Sequence, residues 1–257
     1  MSDLTFTGER LHAGNELFSV DLARHDAAYR IALTYADTGA KVIELGSGAG
    51  YGAASLADGA FDIVAIDRVA PDSTSRKSSC QFVRGDLNRL PLARRGFDLV
   101  VSFQVIEHLE DPTNYIDAIS DLVQSDGTAL ITTPNLLMSD GVNPYHVHEY
   151  RAEELADCLR RRFEQVEVQG ISASEAVMTT LRERSARIAR IMKLDPLGLH
   201  KRLPQSWIEW LFAAFAVLVR SQTQRTSDAP EVTWRDFPVG SADDECLDLL
   251  AICRRPR

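Results

Sequence analysis

The sequence predicts an α/β fold, a mainly parallel sheet with helices on both faces. Two observations carry this. Short apolar runs alternate with helix-patterned stretches from about residue 40 onward, the pattern of parallel strands joined by crossover helices. The first run, Lys41–Leu45, leads straight into the glycine-rich turn GSGAGYG, Gly46–Gly52. In such sheets, ligands bind where strands end in turns of this kind. Composition agrees: 257 residues, 45% hydrophobic and 25% charged, suit one large soluble domain or a domain with an insertion.

Before the first strand, Asp21–Tyr35 places Leu22, Ala23, Tyr29, Ile31 and Leu33 at helical spacing. This predicts an N-terminal helix able to close over a ligand. Strands are predicted at Lys41–Leu45, Ile63–Asp67, Cys80–Arg84, Phe97–Ser102, Ala129–Thr133, Val166–Gln169 and Leu247–Cys253. Helices are predicted at Tyr51–Ala57 and Asn114–Leu122. Residues 172–245 are far too many for a plain connection between the last two strands. They carry helical patterns at Ser174–Met192 and Ser206–Gln224, and are expected to form a helical cap beside a substrate pocket. The division is then 1–171 with 246–257 as the main domain and 172–245 as the cap.

Charge narrows the partners. The net charge of −9 argues against nucleic acid. From Arg182 to Arg225, however, nine Lys or Arg stand against three acids. Such a run suits a solvated helix face, or contact with an anionic acceptor or membrane surface. Trp207–Val219, WIEWLFAAFAVLV, is too short for a comfortable span; a buried helix or a membrane-surface helix both fit it. The start, MSDLTFTGERLHAG, lacks the order of a signal peptide. Cys80, Cys158, Cys246 and Cys253 form no C-x-x-C pair. A reduced, cytoplasmic protein is expected.

The glycines run G-x-G-x-G from Gly46, and Tyr51 stands where a dinucleotide fingerprint wants its third glycine. No Lys-Ser/Thr follows, so a Walker A loop is absent. Glu44 precedes the glycines. A carboxylate there repels a pyrophosphate and favours a ligand with positive charge. S-adenosylmethionine (SAM) has a sulfonium, an ammonium and no phosphate, and its carboxylate can meet backbone N–H groups at the start of the next helix. Asp67 ends the second strand, where a carboxylate can accept from both ribose hydroxyls. Asp86 follows the third, where it can accept from an adenine amino group while Leu87 packs on the ring. As structural alternatives, the glycines serve a tight turn and the two Asp residues serve as caps.

The sequence resembles the class I SAM-dependent methyltransferases. VIELGSGAG is similar to the family's first motif, IVAIDR to the second and VRGDLNRLPL to the third. FDLVVSFQVIEHLEDP resembles the fourth-strand motif and GTALITTPN the fifth strand. The similarity covers about residues 40 to 170, and Leu247–Cys253 resembles the family's last, antiparallel strand. It implies a Rossmann-like sheet of seven strands, mostly parallel, with SAM as cofactor. The cofactor residues it implies are Glu44, Gly46, Ser47, Gly48, Gly50, Asp67, Arg68, Asp86, Leu87 and Gln104.

A base is needed only when the acceptor is a hydroxyl or a protonated amine. His108 follows the fourth strand, and NPYHVHEY, with His146 and His148, follows the fifth. The N-P-aromatic-H-x-x-E-aromatic pattern resembles small-molecule and sugar methyltransferases, and points to His146 and Glu149 rather than His148. In the alternative reading, His146 only ties the loop and Glu149 caps the next helix. Gln104-Val-Ile-Glu107-His108 resembles the E-x-x-E-H site of magnesium-dependent relatives. Gln104 stands where the first acid belongs, a poorer ligand for a hard cation, so a metal is not favoured. LTFTGERL with ARHDAAYRIAL, and the ending DDECLDLLAICRRP, resemble bacterial methyltransferases of surface-glycan assembly. The expected acceptor is therefore a hydroxyl of a saccharide or glycolipid. Alternatives are a natural-product O- or N-acceptor, or a SAM-binding partner subunit without turnover. A nicotinamide-dependent oxidoreductase is opposed by the glycine spacing and Glu44.

Overall fold

The computed structural model describes residues 18–59, 61–76, 79–87, 95–141, 143–192 and 232–257. The strands are β1 (Lys41–Leu45), β2 (Asp62–Asp67), β3 (Cys80–Arg84), β4 (Phe97–Phe103), β5 (Val123–Pro134), β6 (Phe163–Ile171), β7 (Val239–Ser241) and β8 (Asp248–Pro256). They form one sheet in the order β3-β2-β1-β4-β5-β8-β6-β7. β1 to β5 pair in parallel. β8 runs antiparallel to both β5 and β6. The helices are α1 (Ser19–Ala32), α2 (Tyr51–Leu56), α3 (Thr113–Leu122), α4 (Ala152–Arg160) and α5 (Glu175–Met192).

Alternation along each strand divides the core into two layers. On one face Val42, Leu99, Val101 and Leu130 pack with Ala27, Ala28 and Tyr29 of α1, Ala53 of α2 and Met178 of α5. On the other, Ile43, Val100 and Ile131 pack with Tyr115 and Ile119 of α3 and Leu155 of α4. Both faces of β1 are covered, so Val42 to Leu45 are all buried, as a central parallel strand requires.

The sequence predicts seven strands; the structure has eight. The extra one is β7, three residues that extend the sheet edge antiparallel to β6. Val-Gly-Ser is too short to show a period of two. Its approach is permitted by Gly170, where a Cβ would come within 2.8 Å of Ser241 O and 2.6 Å of Cys246 Cβ. β7 falls inside the stretch 172–245, so part of that stretch returns to the sheet, and Val177 and Met178 of α5 are buried in the core. The patterned segments Ser206–Gln224 and Trp207–Val219 lie outside the described residues. Among the described residues, no helix is long and apolar enough to cross a membrane.

β5 is longer than the predicted Ala129–Thr133. Val123 already pairs with Phe97, and a register shift between Phe97 and Leu99 absorbs the Gln-Ser-Asp-Gly segment, whose composition reads as a turn.

Candidate functional site

The candidate residues gather at the carboxyl ends of β1, β2, β3 and β4 and on the loop after β5. β8 is antiparallel, so its first residue, Asp248, joins the same edge.

The turn after β1 is shaped by glycine. Gly46 has φ +84°, and a Cβ there would lie 2.4 Å from Val105 Cγ2; only glycine lets the chain turn this tightly against the β4 loop. At Gly48 (φ +52°) a Cβ would meet nothing within 4 Å, so that position faces open space. Ser47 is buried and its carbonyl accepts the Gly50 N–H at 2.8 Å.

Glu44 is 1% exposed. Its Oε1 accepts from the Tyr29 hydroxyl at 2.6 Å, while Oε2 is buried without a partner among the described residues. Burial pushes its pKa up to about 7, against the Tyr29 bond and with repulsion from Asp67 adding to the rise. The backbone N–H of Ala53 also favours the charged form.

Asp67 ties the loop together. Its Oδ2 accepts the Gly48 N–H at 2.8 Å and its Oδ1 the Val69 N–H at 2.9 Å. A lone pair remains on each oxygen for a ligand hydroxyl. Arg68 is exposed, and its carbonyl accepts from Arg84 Nε at 2.8 Å. Asp86 is exposed beyond β3, whereas Leu87 is half-buried against the core. Gln104 follows β4 with φ +57°, a strained conformation for a non-glycine residue. Its Nε2 reaches Thr132 Oγ1 at 3.4 Å.

The second group lies just beyond β4. Glu107 is fully buried. Thr133 Oγ1 donates to its Oε2 at 3.1 Å, and Oε1 is buried without a partner among the described residues. Burial pushes it up to about 7, with His108 and His146 pulling the other way. Its carbonyl accepts the N–H groups of Val147 and His148 at 2.8 and 3.1 Å, which pins the NPYHVHEY loop here. His146 Nδ1 lies 2.6 Å from Glu149 Oε1. His108 Nδ1 lies 2.9 Å from Tyr145 O, an oxygen that can only accept. In the neutral rings, donation from Nδ1 leaves the lone pair on Nε2. The two rings stand edge-on at 5.2 Å. Burial works against the Glu149 charge, but the bonds from His146 and Ser139 prevail and hold it below the usual range. His148 is half exposed and turns away to Glu154 at 2.7 Å.

Ligand-capable atoms of Glu107, His108 and His146 all lie within 4.8 Å of one another, close enough to share a metal ion. With both Nδ1 atoms on oxygen acceptors, the arrangement matches the outer-shell pattern of metal-binding imidazoles.

Several residues escaped the sequence reading. His25 Nδ1 lies 2.6 Å from the Tyr51 hydroxyl, Arg24 pairs with buried Asp248 at 3.2 Å, and Tyr29 reaches Glu44. The i, i+4 spacing of His25 and Tyr29 was visible, but what they face was not. Asp248 was visible as a lone acid inside an apolar strand.

A methyltransferase-domain family model matches residues 23–167. The chain is 31% identical to a probable S-adenosylmethionine-dependent methyltransferase of Mycolicibacterium smegmatis, over 99% of this chain and 96% of that one. It is 30% identical to another so described in Mycobacterium tuberculosis, over 98% and 90%. Among solved structures, a phosphoethanolamine N-methyltransferase of Haemonchus contortus in complex with SAM superposes with TM-score 0.58 at 15% identity. That match covers 94% of this chain and 57% of the other, and it shows the shared fold.

Proposed function

Because the chain belongs to the SAM-dependent methyltransferases, we propose that it transfers the methyl group to a hydroxyl on a saccharide or glycolipid. In this reading Glu44, Gly46, Ser47, Gly48, Gly50, Asp67, Arg68, Asp86, Leu87 and Gln104 line the cofactor groove. His146 is the base, oriented by Glu149, with His108 beside it. The 2.6 Å contact between His146 Nδ1 and Glu149 Oε1 carries the proposal. The carboxylate fixes the tautomer, presents Nε2 as proton acceptor and stabilises the imidazolium that forms. A carboxylate acceptor needs no such base; a hydroxyl does. The transfer itself is an in-line displacement at the methyl carbon, helped chiefly by holding acceptor oxygen and sulfonium at about 3–3.5 Å.

Residues 1–171 and 246–257 are read as the SAM-binding domain with an N-terminal helical lid. Residues 172–245 are read as the wall of the acceptor side, anchored through Val177, Met178 and β7. Their basic run suits an anionic acceptor or a membrane surface.

The test is release of S-adenosylhomocysteine (SAH) from SAM across saccharides, glycolipids, phenols, amines and carboxylic acids. Turnover on saccharides alone supports the reading. Turnover confined to phenols or acids moves the enzyme to natural-product chemistry and releases His146 from its role.

The proximity of Glu107, His108 and His146 favours one second reading, a divalent cation that orients the acceptor hydroxyl. Glu107 Oε1, buried and unpartnered, suits a hard cation.

A further inference from the structure

Helix α1 brings a cation into the reaction site. Arg24 Nε lies 3.2 Å from Asp248 Oδ2, and the Arg24 side chain is 23% exposed. Burial opposes its charge, but Asp248, Asp21 and Glu107 more than offset this and hold its pKa above the usual arginine range. Asp248 opens β8 beside the end of β5, and His25, the residue after Arg24, reaches Tyr51 at the start of α2. Arg24 is thereby carried to the edge where the glycine loop and the groups beyond β4 lie. No described residue accepts a hydrogen bond from its Nη atoms, and Nε is buried without a well-aligned acceptor.

The helix that carries it is tightly fixed. His25, the next residue, meets the Tyr51 hydroxyl, and Tyr29 donates to Glu44. A Cβ on Gly52 would lie 2.0 Å from the Tyr29 ring, so α1 is seated directly on α2. Arg24 is thus held in place by its helix and by Asp248 together.

The charge balance asks for such a group. Glu44, Glu107 and Asp248 are buried carboxylates at this edge. They suit the cofactor's sulfonium and ammonium, but its carboxylate enters among them at a disadvantage. The start of α2 offers little relief. That helix has only six residues, and the Gly50 N–H before it is spent on Ser47 O. A guanidinium anchored through one nitrogen presents a planar fork that suits a carboxylate. We propose that Arg24, braced by Asp248, receives the carboxylate of the SAM amino-acid end. The assignment rests on the cofactor groove proposed above.

The test uses two ligands, SAH and its decarboxylated analogue S-adenosyl-3-thiopropylamine, titrated calorimetrically into wild type, Arg24→Met and Arg24→Lys. Wild type should prefer SAH by at least tenfold. Arg24→Met should lose at least tenfold for SAH and less than twofold for the analogue, so the preference collapses. Arg24→Lys, which keeps charge without the fork, should fall between, and carries the comparison if Arg24→Met does not fold. Equal losses for both ligands would mean Arg24 only seats α1, and the proposal fails. Unchanged SAH binding with a raised KM for a carboxylic-acid acceptor would give the docking point to the acceptor, and the proposal fails again. Wild type that binds the two ligands equally refutes it directly. Wild type that binds neither overturns the groove reading instead.

Discussion

Replacing Glu44 by Gln should make the free protein more stable and its cofactor binding worse, and the first effect should depend on pH. Glu44 titrates near 4.5 in an unfolded chain and at about 7 in place. At about 1.4 kcal/mol per tenfold, ionising it in the folded protein costs about 3 kcal/mol. The sign follows from the raised pKa. The stability tied to its proton is fully present below about pH 4.5, declines through the interval, and is lost above about 7. Gln is neutral throughout and can still accept from the Tyr29 hydroxyl. Its amide takes the place of the unpartnered Oε2, at a cost of about 1 kcal/mol that is the same at every pH. The difference between the mutant's shift at pH 8 and its shift at pH 5 therefore isolates the charge. It should favour the mutant by about 2 kcal/mol, or roughly 4–8 °C in Tm for a chain of this size. SAH affinity should drop at least tenfold, the loss of one charge-assisted bond of roughly 1.5–3 kcal/mol. Thermal melts at both pH values and calorimetric titration with SAH read the two effects. An identical Tm shift at pH 5 and pH 8, or unchanged SAH affinity, would refute the placement of Glu44 as a buried acid reserved for the ligand.

Asp67→Asn should move stability the other way, because the amide turns a donor toward the Gly48 or Val69 N–H; Tm falls and SAH affinity drops at least tenfold by titration. His146→Ala should cost at least tenfold in SAH release on the acceptor found in the panel while leaving SAH affinity within twofold, and unchanged turnover would sink the base assignment. Gly52→Ala should lower stability by about 1–3 kcal/mol in a denaturant melt, since its Cβ would lie 2.0 Å from Tyr29, and should weaken SAH by displacing α1. Turnover in excess chelator should stay within twofold of the untreated enzyme; a loss restored by magnesium would transfer the role of His146 to a metal.

The parts of this molecule legible in the sequence are those whose partners are close along the chain. Lys41–Leu45 and Cys80–Arg84 coincide with observed strands, because an apolar run ending in glycine or in Gly-Asp announces its own boundary. The juxtaposition of His146 and Glu149 is likewise local, three residues apart on one loop. What escaped is set by tertiary approach. β7 exists because Gly170 lets it come close, and nothing within Val-Gly-Ser says so. The bond from Tyr29 to Glu44 spans fifteen residues, and the meeting of Arg24 with Asp248 joins the first described helix to the last strand. Periodicity marked Tyr29 as a helix-face residue but could not say that its ring would fill the space over Gly52.

That division explains why the glycine loop was easier to read than the rest. The glycine loop and Asp67 are held by neighbours within one crossover unit, through the Gly48 and Val69 N–H groups, so their pattern survives as a motif. The contacts that α1 makes with β1, α2 and β8 join parts of the chain far apart in sequence. The buried acids at this edge are costly in the free protein: Glu44 and Glu107 are both raised to about 7 by burial, and each keeps one oxygen without a partner among the described residues. Folding alone gains nothing from that arrangement, since an apolar residue of similar size would be more stable at either position. Two buried acids, and an arginine whose Nε finds no well-aligned acceptor among the described residues, are costs that a ligand bringing both signs of charge would offset.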